Sequence, residues 1–217
     1  MNRKAFIFDL DGVIVDTAKF HYLAWKELAN ELGFTFTEEQ NEQLKGVSRV
    51  ASLEILLNIG NIHISDERKT KLLKEKNEEY LRYIEKMGRD EILPGIKTLL
   101  DYLKENKIPF SLGSASKNAR LILKILDIYD LFDAIVDGND VSSAKPDPEV
   151  FLIAAKKLNK DPQDCIVIED AQAGIQAANN ANMISIGIGD KKILKEAGFV
   201  LNNTGELTID FVKKLIE

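Results

Sequence analysis

Phe6-Ile7-Phe8-Asp9-Leu10-Asp11-Gly12-Val13 decides how the remainder of this 217-residue chain is read. An apolar run ends in two aspartates two residues apart, and a glycine follows. On an extended strand, residues i and i+2 share a face. Asp9 and Asp11 therefore address one spot at the strand's carboxyl end, and Gly12 lets the chain leave in a conformation other residues resist. Two carboxylates held together repel unless a cation or a proton lies between them. Such a pair can bind a hard cation and still offer an oxygen nucleophile. Alone, the segment also reads as turn-forming aspartates after a buried strand.

Outward from this strand the chain changes texture. From Ala18 to Arg89 helical patterns dominate and no good strand candidate occurs. One pattern covers residues 25–32 and closes at Gly33; another starts near Thr37, with Glu38 and Glu39 in its first turn. A third starts at Ser48, carries Leu53, Leu56 and Leu57, and stops at Gly60; a long charged one follows Ser65-Asp66-Glu67. From Leu93-Pro94-Gly95 onward helix and strand alternate: helix 96–106, strand 108–113, helix 119–126, strand 134–136, helix 149–158, strand 165–168, helix 174–181, strand 184–187. Short apolar strands between amphipathic helices predict an α/β fold, a Rossmann-like parallel sheet covered on both faces, with a helical bundle inserted after the first strand. Ligands in such sheets bind at the carboxyl ends of the strands.

That rule gathers scattered residues into one candidate site. The first strand ends in Asp9 and Asp11; the second runs into Ser114-Ala115-Ser116-Lys117-Asn118 before a helix. Hydroxyls and N–H groups at a helix N-terminus suit a phosphate, and equally suit simple capping. Lys145-Pro146-Asp147-Pro148 puts a point charge on a stiffened loop. Glu169-Asp170 can complete a cation site, or Asp170 can cap the next helix. On the helical block, Arg49 offers a bidentate fork in Lys45-Gly46-Val47-Ser48-Arg49, where Gly46 permits close backbone approach; the segment reads equally as a helix cap followed by a surface arginine.

Composition narrows the function classes. The net charge of -6 argues against general affinity for nucleic acid or anionic membrane, and no apolar run approaches a membrane span of about 20 residues. Cys165 is the only cysteine, so an intramolecular disulfide is excluded and a thiolate metal site is not expected; its apolar setting reads as core.

In order, Asp9-x-Asp11-Gly12, Ser114, Lys145 and Glu169-Asp170 resemble the four motifs of the haloacid dehalogenase-like superfamily of aspartyl phosphotransferases, with the helical insertion where that superfamily places its mobile cap. His21, Trp25, residues 45–49, Ser52, Lys76-Asn77, residues 114–118 and residues 169–175 resemble segments of its β-phosphoglucomutase branch. Asp147 departs from the family pattern at a position not expected to do chemistry.

The resemblance implies a core of residues 1–16 and 90–217 and a cap of residues 17–89. It implies Asp9 as the nucleophile and Asp11 as the general acid/base. Mg²⁺ would be held by Asp9, the Asp11 carbonyl and Asp170, with Glu169 nearby. Ser114 and Lys145 would hold the transferring phosphoryl group. Gly46, Val47, Ser48 and Arg49, with Ala115, Ser116, Lys117 and Asn118 opposite, would hold the second phosphate. His21 and Lys76 would sit near the sugar or tune Asp11, Thr17 would contact Asp11 with the cap open, and Trp25 and Ser52 would line the sugar side, Trp25 reading equally as cap core. The implied reaction interconverts β-glucose 1-phosphate and glucose 6-phosphate through an aspartyl-phosphate and β-glucose 1,6-bisphosphate. A cytoplasmic monomer acting on a small sugar phosphate is expected. Two other readings stay open: a hexose-phosphate phosphatase of the same fold, and a non-catalytic sugar-phosphate sensor.

Overall fold

The structure, a computed structural model, describes residues 4–44 and 47–216. Its centre is a six-stranded sheet of β1 (Ala5–Phe8), β2 (Phe110–Gly113), β3 (Ala134–Val136), β4 (Cys165–Glu169), β5 (Ile184–Ile188) and β6 (Phe199–Leu201). The order is β3-β2-β1-β4-β5-β6 and every pairing is parallel. Both faces are covered, which explains why the strands read as unbroken apolar runs. Phe6, Phe8, Phe110, Leu112, Ile166 and Ile168 face α5 (Ile96–Glu105) and α6 (Ala119–Ile125) in one cluster. Ala5, Ile7, Cys165 and Val167 pack with α7 (Glu149–Lys157) and α8 (Gln172–Asn180) in another. The period-2 alternation along β1 thus feeds two separate layers of core.

From β1 the chain steps outward to β2 and β3, then crosses back to β4 on β1's other side. The order therefore reverses between β1 and β4, and their carboxyl ends open a crevice there. Asp9 N–H donates to Ile168 O at 3.0 Å, carrying the pairing right up to that crevice.

Among the described residues, four α-helices lie between β1 and α5: α1 (Ala18–Glu31), α2 (Glu38–Asn41), α3 (Arg49–Ile59) and α4 (Asp66–Ile84). Thr37 and Gln40 form a capping box, and the Ser48 and Ser65 hydroxyls accept from Ala51 N–H and Arg68 N–H, both at 3.3 Å. These helices bury a core of their own, including Trp25, Leu28, Phe36, Leu53, Leu56, Leu57 and Leu72. The chain enters and leaves this block side by side. Val15 pairs with Ile92 in an antiparallel bridge, Leu93 N–H donates to Ile14 O at 3.0 Å, and Lys19 Nζ reaches Glu91 Oε2 at 2.6 Å.

The structure shifts some of the expected limits. β2 begins at Phe110 rather than residue 108, because Lys107 turns into the left-handed region (φ 54°) and Ile108 N–H closes the end of α5 on Leu103 O. Glu169 is the last residue of β4, not the first of the following loop. Two elements were not expected: the edge strand β6 and α9 (Ile209–Ile216), whose Phe211 meets Phe199 edge-on at 5.9 Å. Cys165 is buried on β4 as read from the sequence. Among the described residues no helix is long and apolar enough to cross a membrane.

Candidate active site

The crevice between β1 and β4 collects the charged residues singled out above. Lys145, only 4% exposed, donates from Nζ to Asp9 Oδ1 at 2.6 Å, Glu169 Oε1 at 2.7 Å and Gly113 O at 3.2 Å. Three donors meet three acceptors, so its buried ammonium is fully satisfied. Glu169 spends its other oxygen, Oε2, on Ala171 N–H at 2.7 Å. One carboxylate from each of Asp9, Glu169 and Asp170 lies within 4.8 Å of the others.

Two glycines make room for these carboxylates. Gly12 sits at φ 76°, in left-handed space, and a Cβ there would overlap the Asp170 carboxylate. A Cβ on Gly174 in α8 would overlap Glu169 Oε1. Neither acid could hold its place with any other residue at these positions.

The second strand delivers its hydroxyls as expected. Ser114 is buried; its N–H donates to Val136 O at 3.0 Å and its Oγ accepts from Ser116 N–H at 3.1 Å. The Ser116 hydroxyl accepts from Asn118 N–H at 3.3 Å, which coils residues 114–118 tightly. Asn118 Nδ2 reaches across to Asn77 Oδ1 on α4 at 2.9 Å.

A cavity of about 410 Å³ joins these residues to the helical block. Asp9, Asp11, Ser114, Ala115, Ser116, Lys117, Lys145 and Asp170 line it from the sheet, and His21, Trp25, Val47, Ser48, Arg49, Ser52 and Lys76 from the helices. Thr17, Asn118 and Glu169 do not line it. Lys45 and Gly46, also expected here, fall outside the described residues. Trp25 lines the cavity and also belongs to the helical block's own core.

On the helical side Lys76 Nζ lies 2.8 Å from His21 Nδ1, over the rings of Trp25 (4.6 Å) and Tyr80 (4.8 Å). Tyr80 stacks on His21 with ring centroids 4.1 Å apart. The sequence reading missed Tyr80, although it lies one helical turn beyond Lys76. Asn41 was also missed; it is 7% exposed and lines the cavity. Asp11 Oδ1, Thr17 Oγ1 and Tyr80 OH are buried without a hydrogen-bond partner.

The electrostatics follow from burial. Desolvation pushes the Asp9 carboxyl up, Lys145 pulls it back, and the balance falls at about 6. Asp11 is pushed up to about 8, first by burial and then by the charge of Asp9. Burial works against the Lys145 charge, yet Asp9 and Glu169 outweigh it and hold the ammonium above its ordinary value. Burial, then Lys76 and Arg49, drives His21 well below the usual imidazole value. Lys76 is lowered by burial and by Arg49, against the pull of Asp11. Asp11 thus carries its proton at neutral pH, and Lys145 keeps its charge.

Sequence comparison decides the family. The model of the haloacid dehalogenase-like hydrolases matches residues 3–182. The chain belongs to the haloacid dehalogenase-like hydrolases. Within the family it is 44% identical to a β-phosphoglucomutase of Bacillus subtilis over 96% of this chain and 93% of that protein. It is 30% identical to a phosphorylated carbohydrates phosphatase of Thermotoga maritima, over 98% of this chain and all of the relative. A crystal structure of β-phosphoglucomutase from Clostridium difficile superposes with a TM-score of 0.93 at 47% identity, covering 98% of this chain and 96% of the other. The sheet order is therefore that of a haloacid dehalogenase-like fold.

Proposed function

We propose that this protein is a β-phosphoglucomutase, interconverting β-glucose 1-phosphate and glucose 6-phosphate through an aspartyl-phosphate on Asp9 and a β-glucose 1,6-bisphosphate intermediate. The observation that carries the reading is the cavity's lining. Beside Asp9, a protonated Asp11 and the charged Lys145 it holds a second set of phosphate-binding groups, Ser116 and Lys117 from the sheet and Arg49 from the helices. A phosphatase needs a place for one phosphate, whereas a mutase must hold two. Residues 1–16 and 90–217 serve as the core, and residues 17–89 as a cap that closes over it.

Asp9 attacks phosphorus, and the bond from phosphorus to the sugar oxygen breaks as Asp11 gives that oxygen its proton. In the reverse sense Asp11 takes the proton of the attacking hydroxyl. Lys145 and Ser114 neutralise and hold the equatorial oxygens, over which the transition state spreads its charge. Glu169 keeps Lys145 aimed at Asp9. Asp9, Asp170 and Glu169, with the Asp11 carbonyl, fit a divalent cation: the donors are all oxygen, and three carboxylates outnumber the one lysine. Bound Mg²⁺ would supply charge neutralisation on the transferring phosphoryl group. The cap shields the aspartyl-phosphate from water long enough for the bisphosphate to turn and present its other phosphate.

A coupled assay with Mg²⁺ and a trace of the bisphosphate tests this. Glucose 6-phosphate forms from the β anomer much faster than inorganic phosphate is released, and the α anomer is left behind. Phosphate release at the rate of sugar loss would instead establish a hexose-phosphate phosphatase, the activity of the Thermotoga relative's kind. Asp9→Asn abolishes turnover, by about 10³-fold or more, with the fold intact; a sensor would bind sugar phosphate equally well with or without turnover.

A further inference from the structure

Residues 114–117 line the cavity from the sheet, and the Ser114 and Ser116 hydroxyls brace the segment from within. A second support comes from a turn that follows β3. Gly138 N–H donates to Ser116 O at 3.3 Å, and Asn139 Nδ2 donates to Lys117 O at 3.0 Å. Gly138 lies so close that a Cβ on it would overlap Ala115 O. The turn is itself tied down. Asp137 Oδ1 accepts from Asn139 N–H at 2.8 Å, and Asp140 Oδ2 accepts from Asp137 N–H at 2.9 Å.

One side chain organises both carboxylates. Arg120, in the first turn of α6, donates from Nη1 to Asp137 Oδ2 and from Nη2 to Asp140 Oδ2 at 2.8 Å and Ile135 O at 3.2 Å. Asp137 is fully buried, so its charge needs this partner. Arg120 does not line the cavity.

We propose that Arg120 is a positioning residue for the phosphate-holding segment: through Asp137 and Asp140 it locks the turn at residues 137–140, and Gly138 and Asn139 pass that rigidity to the backbones of Ser116 and Lys117. The proposal rests on the functional reading above, in which Ser116 and Lys117 hold the phosphate that is not being transferred. Ser114 is anchored separately, on Val136 O. The Asn139 tether reaches only the Lys117 end of the segment. Loosening the turn disturbs the held phosphate and spares the chemistry at Asp9.

The test uses the full chain with Mg²⁺ and β-glucose 1-phosphate. Asn139 is exposed, so Asn139→Ala folds normally and removes a single tether. It raises KM about 10-fold while kcat stays within about twofold, since small misplacements of a positioning group cost on this scale. Arg120→Met gives a larger rise in KM, and Arg120→Lys, which keeps the charge but loses the fork, falls between. Thermal unfolding of each variant identifies any that fail to fold, and Asn139→Ala then decides alone. If KM for folded Asn139→Ala stays within twofold of the parent, or if kcat falls while KM holds, the proposal is overturned. Should the parent protein turn over no sugar phosphate at all, the functional reading fails instead. Calorimetry with inorganic phosphate then compares parent and Asn139→Ala: about 10-fold weaker binding by the variant supports the tether, and equal binding overturns it.

Discussion

Gly174 lies where Glu169 needs space: a Cβ on the glycine would coincide with Glu169 Oε1, the oxygen that holds Lys145. A residue on α8 that carries no functional group thus controls the lysine beside Asp9. Gly174→Ala leaves helix and sheet in place, forces the carboxylate away and releases Lys145 from one of its three acceptors. Turnover falls about 10²-fold, measured as kcat with saturating β-glucose 1-phosphate, while the far-ultraviolet circular dichroism spectrum is unchanged.

Removing the lysine itself has a second consequence. Lys145→Met leaves Asp9 and Glu169 facing each other in a buried crevice without their cation. Breaking a buried pair by deleting one partner costs about 3–5 kcal/mol. Urea denaturation without divalent cation shows a loss of this order, and added Mg²⁺ restores part of it, because a cation at the acidic cluster stands in for the missing charge.

Asp11 gives the stability a pH dependence. Its carboxyl rises on folding from 3.8 to about 8, so the folded state favours the proton. The stabilisation is whole below 3.8, declines as pH rises, and is gone above about 8. Asp11→Asn cannot ionise. With a chelator present, the variant's melting temperature therefore gains on that of the parent between pH 4 and pH 8, by about 5 °C or more, and the gap stays level beyond. A constant gap across that range would show that Asp11 does not bury its charge.

Lys76 acts on the same acid from the cap. Its charge stabilises ionised Asp11, so Lys76→Met moves the Asp11 carboxyl higher still. The alkaline limb of the kcat profile, where Asp11 loses the proton it must donate, shifts to higher pH. KM rises as well, because the cap loses a cation from the cavity wall. A profile unchanged in position would assign Lys76 to substrate binding alone.

Much of the site was legible because each part of it ends a strand. Asp9-x-Asp11, Ser114, Lys145 and Glu169-Asp170 each occupy a few consecutive residues, and the rule that ligands gather at strand ends converts four local signals into one place. What stayed hidden depends on pairs distant in sequence. Arg120 reads as one more charge on a short helix until the fold sets it beside Asp137 and Asp140. Tyr80 lies within a run of charged residues, and nothing there tells that its ring meets His21, 59 positions earlier. The strand β6 lies at the sheet's edge, where Phe199 is exposed, so it lacks the fully buried setting of the inner strands, and α9 follows it beyond the last strand read from the sequence. The limits of β2 moved because the close of α5 took Ile108, through a left-handed turn at Lys107, a residue type that does not advertise that conformation.

The Val15–Ile92 bridge makes the outgoing and returning chain a single two-ply strap. A strap bends readily across its flat side but resists torsion and lateral slip. In the proposed mutase cycle, a lid mounted on it would swing along one arc and return Arg49 to the same point at every closure. One bisphosphate would then be met in either orientation without the enzyme itself being rebuilt between the two halves of that cycle.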